Sequence, residues 1–121
     1  MRISHVTGAL FIAAGIFVAS SQASVAAVPS KSELAATFVG KSVDVGKSGQ
    51  RLAGTAWLGQ DGAYTYSRPD GHFGRGRYVL SNGRICVTFE SGRLGCYRIT
   101  KHGASYVLLD ARGERYPVSV K

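Results

Sequence analysis

Residues 76–99 read Gly-Arg-Tyr-Val-Leu-Ser-Asn-Gly-Arg-Ile-Cys-Val-Thr-Phe-Glu-Ser-Gly-Arg-Leu-Gly-Cys-Tyr-Arg-Ile, which predicts three antiparallel strands joined by two tight turns and stapled by one disulfide. Asn82-Gly83 supplies the two residues tolerant of positive φ that a two-residue type I′ turn demands. That turn sets Leu80 opposite Ile85, Tyr78 opposite Val87, and Gly76 opposite Phe89, whose ring would cover a residue that has no side chain. Glu90-Ser91-Gly92 suits a three-residue loop with Gly92 left-handed. The loop brings Cys86 directly across from Cys96, where facing side chains are close enough to bond. The two registers are independent, yet both send Tyr78, Leu80, Ile85, Val87, Phe89, Tyr97 and Ile99 to one face.

Outward from this ribbon the chain continues as short strands cut by glycine turns. Ser42 to Val45, Arg51 to Leu58, Ala63 to Arg68, Tyr106 to Asp110 and Glu114 to Val120 alternate or run apolar between Lys47–Gln50, Gln60-Asp61-Gly62, Pro69-Asp70-Gly71, Lys101–Ala104 and Ala111-Arg112-Gly113. Pro117 lacks a donor, which puts the last strand at an edge or seam. The register at Asp70-Gly71 is open. A strict two-residue turn sends Tyr64 and Tyr66 outward beside Arg77 and Arg75, and a slip of one residue sends them inward. The inward arrangement makes the better core. One helix precedes the strands: Ser30 caps it, Glu33 completes a capping box, Leu34 and Phe38 share a face, and Gly40 suits the C′ position. It is too short to stand alone and must dock on the sheet. The expected fold is mainly β: a single antiparallel meander that curls into a small barrel to remove its edges, with one short N-terminal helix.

The start of the chain reads as an address. Arg2 and His5 precede an apolar run from Val6 to Ala19, and Ser21-Gln22-Ala23 has the small-x-small form that signal peptidase reads. The expected division is a signal peptide over 1–23 (alternatively ending at 26), a tether over 24–29 and a barrel-like domain over 30–121. The apolar run is short for a membrane span and no stop-transfer pattern follows, so no transmembrane span is expected after processing. This points to the periplasm or to secretion. The two cysteines of an exported chain then read as a disulfide rather than as metal ligands, for which four converging side chains would be needed.

Charge carries the strongest functional signal. The formal net charge is +8, and between residues 68 and 98 six arginines face only Asp70 and Glu90. In the ribbon register Arg84 lies opposite Arg98, and Arg75 and Arg77 project to the same face from the neighbouring strand. Such self-repulsion suits binding of phosphate, carboxylate or an acidic polymer, weighed against a merely solvated basic surface. Trp57 is out of phase with Leu52, Ala56 and Leu58 and is the aromatic residue best suited to a surface contact. Catalysis is not expected: His72 and His102 sit at turns with no acid spaced to orient them, and Asp110 and Glu114 flank a turn and read as solvated. The run Gly71-x-x-Gly74-x-Gly76 neither follows a strand nor opens a helix, so it reads as turn and bend glycines rather than a phosphate loop. No cofactor and no metal are implied. The expected function is a binding module for an acidic polymer, envelope component or protein partner, with nucleic acid a weaker fit. The alternative is a protein-directed interaction or inhibitor module.

The order Phe-Val-Gly-Lys-Ser-Val (38–43), Gln-Asp-Gly-Ala-Tyr (60–64), Pro-Asp-Gly (69–71), Gly-Arg-Tyr (76–78), Asn-Gly-Arg-Ile-Cys-Val (82–87) and Gly-Cys-Tyr-Arg-Ile (95–99) resembles a group of small secreted bacterial proteins classed as a domain of unknown function. These carry a Gly-x-Trp strand before a Cys…Cys hairpin, and here Tyr78 stands at the tryptophan position. The resemblance implies export and a β-rich domain with one disulfide. It brings no activity, so no catalytic residue is carried over.

Overall fold

The computed structural model describes residues 26–121, and the leader expected over 1–23 lies outside them. Among the described residues one helix, α1 (Lys31–Phe38), precedes eight strands: β1 (Ser42–Val45), β2 (Gly54–Leu58), β3 (Ala63–Ser67), β4 (Phe73–Ser81), β5 (Arg84–Phe89), β6 (Leu94–His102), β7 (Ser105–Leu109) and β8 (Arg115–Val120). Each strand pairs antiparallel with the next, and β8 returns to β1 to close the barrel. The central ribbon has the registers read from its turns: Leu80 faces Ile85, Tyr78 faces Val87, Gly76 faces Phe89, and Cys86 faces Cys96. The two cysteines are disulfide-bonded, with Cα atoms 4.1 Å apart on the outer wall.

The open register at Asp70-Gly71 is decided by a five-residue loop. Ser67 pairs with Phe73, so Tyr64 faces Gly76 and Tyr66 faces Gly74, and both rings turn inward. Pro117 sits where β8 runs along β1, and there its carbonyl accepts from the Gly46 N–H at 2.8 Å. The reciprocal bond that Pro117 cannot donate falls just beyond the last β1–β8 ladder pair, Val45 with Val118, at the closing seam.

Two local expectations need correction. The Ser30 Oγ accepts from the Glu33 N–H at 3.1 Å, but Glu33 does not reach back to complete a capping box. Its carboxylate instead takes Lys101 at 2.8 Å and the Tyr106 hydroxyl at 2.5 Å, because β6 and β7 end beside the helix. The Phe89 ring covers Gly74, not Gly76: a Cβ on Gly74 would meet the ring at 3.1 Å. A Cβ on Gly76 would overlap the Thr88 carbonyl and lie 2.8 Å from the Phe89 Cα, so close approach of the β5 backbone requires that glycine.

α1 closes one end of the barrel. Leu34 and Phe38 are buried against Leu58, Leu80, Ile85 and Ile99. The Lys31 N–H donates to Asn82 Oδ1 at 2.8 Å, tying the helix start to the β4–β5 turn. The described part of the segment expected as a tether, residues 26–29, is docked here too. Ala27 exchanges backbone hydrogen bonds with Lys101, and the Pro29 carbonyl accepts from Gly83.

Gly76→Ala should lower stability by about 3 kcal/mol, because the backbone of β5 cannot retreat within a closed ladder. Gly74→Ala should cost clearly less, since a ring edge can shift. Urea unfolding of the two variants measures the difference. Removing the disulfide with Cys86→Ala and Cys96→Ala should cost about 2–3 kcal/mol, the value for releasing a short loop, and should leave the far-ultraviolet circular dichroism of the barrel intact.

Candidate functional site: the barrel mouth

The barrel interior is packed at the α1 end and only partly filled toward the other. Inward positions of β4 and β6 carry Gly74, Gly76 and Gly95, and β2 contributes Ala56. These small residues leave a cavity of about 720 Å³ that opens at the end opposite α1. Its depth is apolar, lined by Phe38, Leu58, Leu80, Ile85, Val87 and Ile99. Halfway up stand Tyr64, Tyr66, Phe89 and Tyr97, with Tyr64 and Phe89 packed edge to face at 6.0 Å between centroids. The Tyr66 hydroxyl donates to the Leu52 carbonyl, whereas the hydroxyls of Tyr64 and Tyr97 have no hydrogen-bond partner among the described residues. Burial raises the Tyr64 phenol well above its ordinary pKa, so this hydroxyl keeps its proton and remains a donor.

The rim is basic. Arg51, Arg68, Arg75 and Arg93, together with His72, line the opening against a single lining carboxylate, Glu90. Two of these arginines are committed: Arg51 to Asp110 at 2.9 Å and Arg68 to Asp70 at 3.3 Å. Arg75 and Arg93 have no ion-pair partner among the described residues. Each guanidinium instead lies over an aromatic ring, Arg75 at 5.4 Å from the Phe73 centroid and Arg93 at 5.2 Å from that of Phe89. Such stacking holds a cation in place while leaving its N–H groups available.

The β7–β8 loop overturns one sequence reading. Asp110 is buried, not solvated, and accepts from the N–H groups of Arg112 and Glu114 at 2.9 Å each and from the Tyr116 hydroxyl at 2.9 Å, besides pairing with Arg51. Burial pushes its carboxyl up, but these hydrogen bonds outweigh that and hold it below the ordinary value. The Tyr116 hydroxyl also lies 2.8 Å from Glu114, so that carboxylate is engaged as well. The Tyr116 ring is fully buried, and nothing in the sequence shows that its hydroxyl meets two acids there. His72 likewise has an acid beside it, Asp70 Oδ1 at 3.1 Å, through an Asx-type loop contact on an exposed side chain. Among the described residues no cluster of three or more His, Cys, Asp or Glu could hold a metal ion.

The four arginines expected to act together do not form one patch. Arg84 and Arg98 face each other on the outer wall near the α1 end. Arg77 pairs with Thr88 and Arg84 with Ser81, four ladder positions apart, or about 13 Å along the strand. Exposed Val79 and the disulfide lie between them. Arg77 donates to the Asp61 carbonyl in the β2–β3 turn and so braces that turn. Arg75 is the one of the four that reaches the cavity mouth. Trp57 is exposed on the outer face of β2, between Ser42 and Thr65. The cavity itself was missed. Its signal in the sequence is the recurrence of glycine at inward positions of β4 and β6. No protein family, no curated protein and no solved structure matches the chain.

Because the Asp110 carboxyl is held below its unfolded value, the unfolded chain binds more protons in acid. The stability it contributes is complete above about pH 4 and is lost as pH falls through the folded value. Glu33, lowered by Lys101 and then by Tyr106, acts in the same direction. Thermal melts from pH 7 to pH 2 should therefore show Tm flat near neutrality and falling in acid. Asp110→Asn should lower Tm by several degrees at pH 7 and flatten the acid fall.

Proposed function

We propose that the chain is an exported binding module that holds an anionic ligand at the arginine-lined mouth of its barrel. The observation that carries this reading is the position of Arg75 and Arg93, free of acidic partners among the described residues, at the opening of a 720 Å³ cavity. A concave apolar site with a few oriented polar groups is the usual form of a ligand site, and cations unpaired at its edge favour a negative occupant. Export is supported by the leader-like start, by the disulfide, and by the resemblance of the Gly76-Arg77-Tyr78 and Cys86…Cys96 segments to small secreted bacterial proteins. Among the described residues no helix is long and apolar enough to cross a membrane.

The outer pair Arg84 and Arg98 supplies a control for the mouth. On heparin and on phosphate resin, Arg75→Glu with Arg93→Glu should elute at markedly lower salt than the parent. Arg84→Glu with Arg98→Glu should lose less, although it changes net charge by the same amount. Greater loss in the outer pair moves the site to the outer wall, and retention unchanged in both rejects the anion-binding reading. Exposed Trp57 supports a second, protein-directed reading, for which a complex that survives high salt and is lost in Trp57→Ala is the mark.

A further inference from the structure

We infer that the occupant of the mouth is a single-chain amphiphile, its apolar tail inside the barrel and its carboxylate or phosphate head between Arg75 and Arg93. This deepens the anion-binding reading and rests on it. The argument is the vertical ordering of the cavity. Its floor and lower wall are Phe38, Leu58, Leu80 and Ile99, and its charged lining residues all belong to the mouth. A small polar anion has no use for an apolar shaft behind its binding groups. An uncharged apolar molecule has no use for cations at the entrance. A nucleotide base is poorly served, because Tyr64 and Phe89 pack edge to face with each other instead of offering parallel faces.

The shaft is also one-ended. Helix α1 seals the far end with Leu34 and Phe38 fully or almost fully buried, so a chain entering tail first stops with its head at the rim. Partway down, the hydroxyls of Tyr64 and Tyr97, which bond to no other described residue and are not sealed from solvent, offer further donors to the occupant. Fatty acids and lysophospholipids share this chemistry, and only the head distinguishes them.

The test measures affinity by calorimetry on the purified, oxidised protein. The probes are butanoate, octanoate, dodecanoate, lysophosphatidate and the uncharged decyl glucoside. Affinity should rise about fourfold per methylene from butanoate to dodecanoate, the factor that corresponds to about 0.8 kcal/mol per buried CH₂. Arg75→Glu with Arg93→Glu should weaken dodecanoate at least tenfold and leave decyl glucoside unchanged. Ala56→Phe, which fills the shaft from β2, should flatten the chain-length series, and Val45→Phe does the same from β1 if the first variant fails to fold. Tighter lysophosphatidate than dodecanoate assigns a phosphate head, and the reverse assigns a carboxylate. An affinity that depends on the two arginines but not on chain length overturns the amphiphile inference and leaves the anion reading standing. An affinity that grows with chain length but ignores the arginines overturns both.

Discussion

The short ladder between β1 and β8 sets everything else in this molecule. Only Val43, Asp44 and Val45 pair with Val120, Ser119 and Val118, yet those three pairs turn an open sheet into a ring. An open eight-stranded sheet would expose two rows of unpaired backbone groups and leave its apolar face wet. Once the ring closes, side-chain alternation has only two destinations, the inside and the outside. Tyr64, Tyr66, Val87 and Ile99 go inward because their neighbours two residues away do, and Arg77, Arg84 and Arg98 go outward by the same rule; Arg75 shares their phase but stands near the end of β4, where it lines the opening. The disulfide follows from the β5–β6 hairpin and is independent of closure, since that ladder already opposes Cys86 and Cys96.

The closed ring has two unlike ends. At one, backbone and side chains converge: Ala27 pairs with Lys101, Lys31 bonds Asn82, Gly40 bonds Leu58, and Glu33 draws Lys101 and Tyr106 together. A short helix with few turns of its own becomes stable there because each of its polar contacts lies on a strand end. At the other end the four loops lack such a cover. They are braced sideways instead, Asp110 gathering Arg51, Tyr116 and two backbone donors into one loop. Bracing of this kind stiffens a rim without closing it.

Local chemistry was legible where a turn dictates register. Asn82-Gly83 and Glu90-Ser91-Gly92 each admit few backbone solutions, so the pairing of seven inward residues and the position of the disulfide could be derived from spacing alone. The register at Asp70-Gly71 was not legible in the same way, because a five-residue loop accommodates several geometries, and only the need for a core favoured Tyr64 and Tyr66 inside. The burial of Asp110 was not legible: three of its donors are local, the N–H groups of Arg112 and Glu114 and the Tyr116 hydroxyl, but a turn of this composition also suits a solvated carboxylate, and the Arg51 that covers it is 59 positions away. The mouth was hidden for a related reason. Arg51, Arg68, Arg75 and Arg93 come from four separate segments, and strand alternation says which wall a residue faces but not how near it stands to an opening.

The size of the interior space bears on what the fold is for. Void in a packed core costs about 24 cal/mol per Å³, so 720 Å³ of dry, closed void would cost on the order of 17 kcal/mol, more than the whole stability of a typical domain. The mouth removes that difficulty by connecting the space to solvent. A second follows from it: water at the mouth meets the rings of Tyr64, Phe89 and Tyr97 above a packed apolar floor, which gives it no hydrogen bonds. Inward Gly74 and Gly95 could be replaced by larger residues only against the rings of Phe89 and Tyr97, so the vacancy is set by rings leaning over glycines and not by missing bulk alone. An apolar shaft that is solvent-connected and poorly hydrated gains free energy from any apolar group that displaces its water. On the proposed reading, the charge at the rim selects among such molecules by their heads.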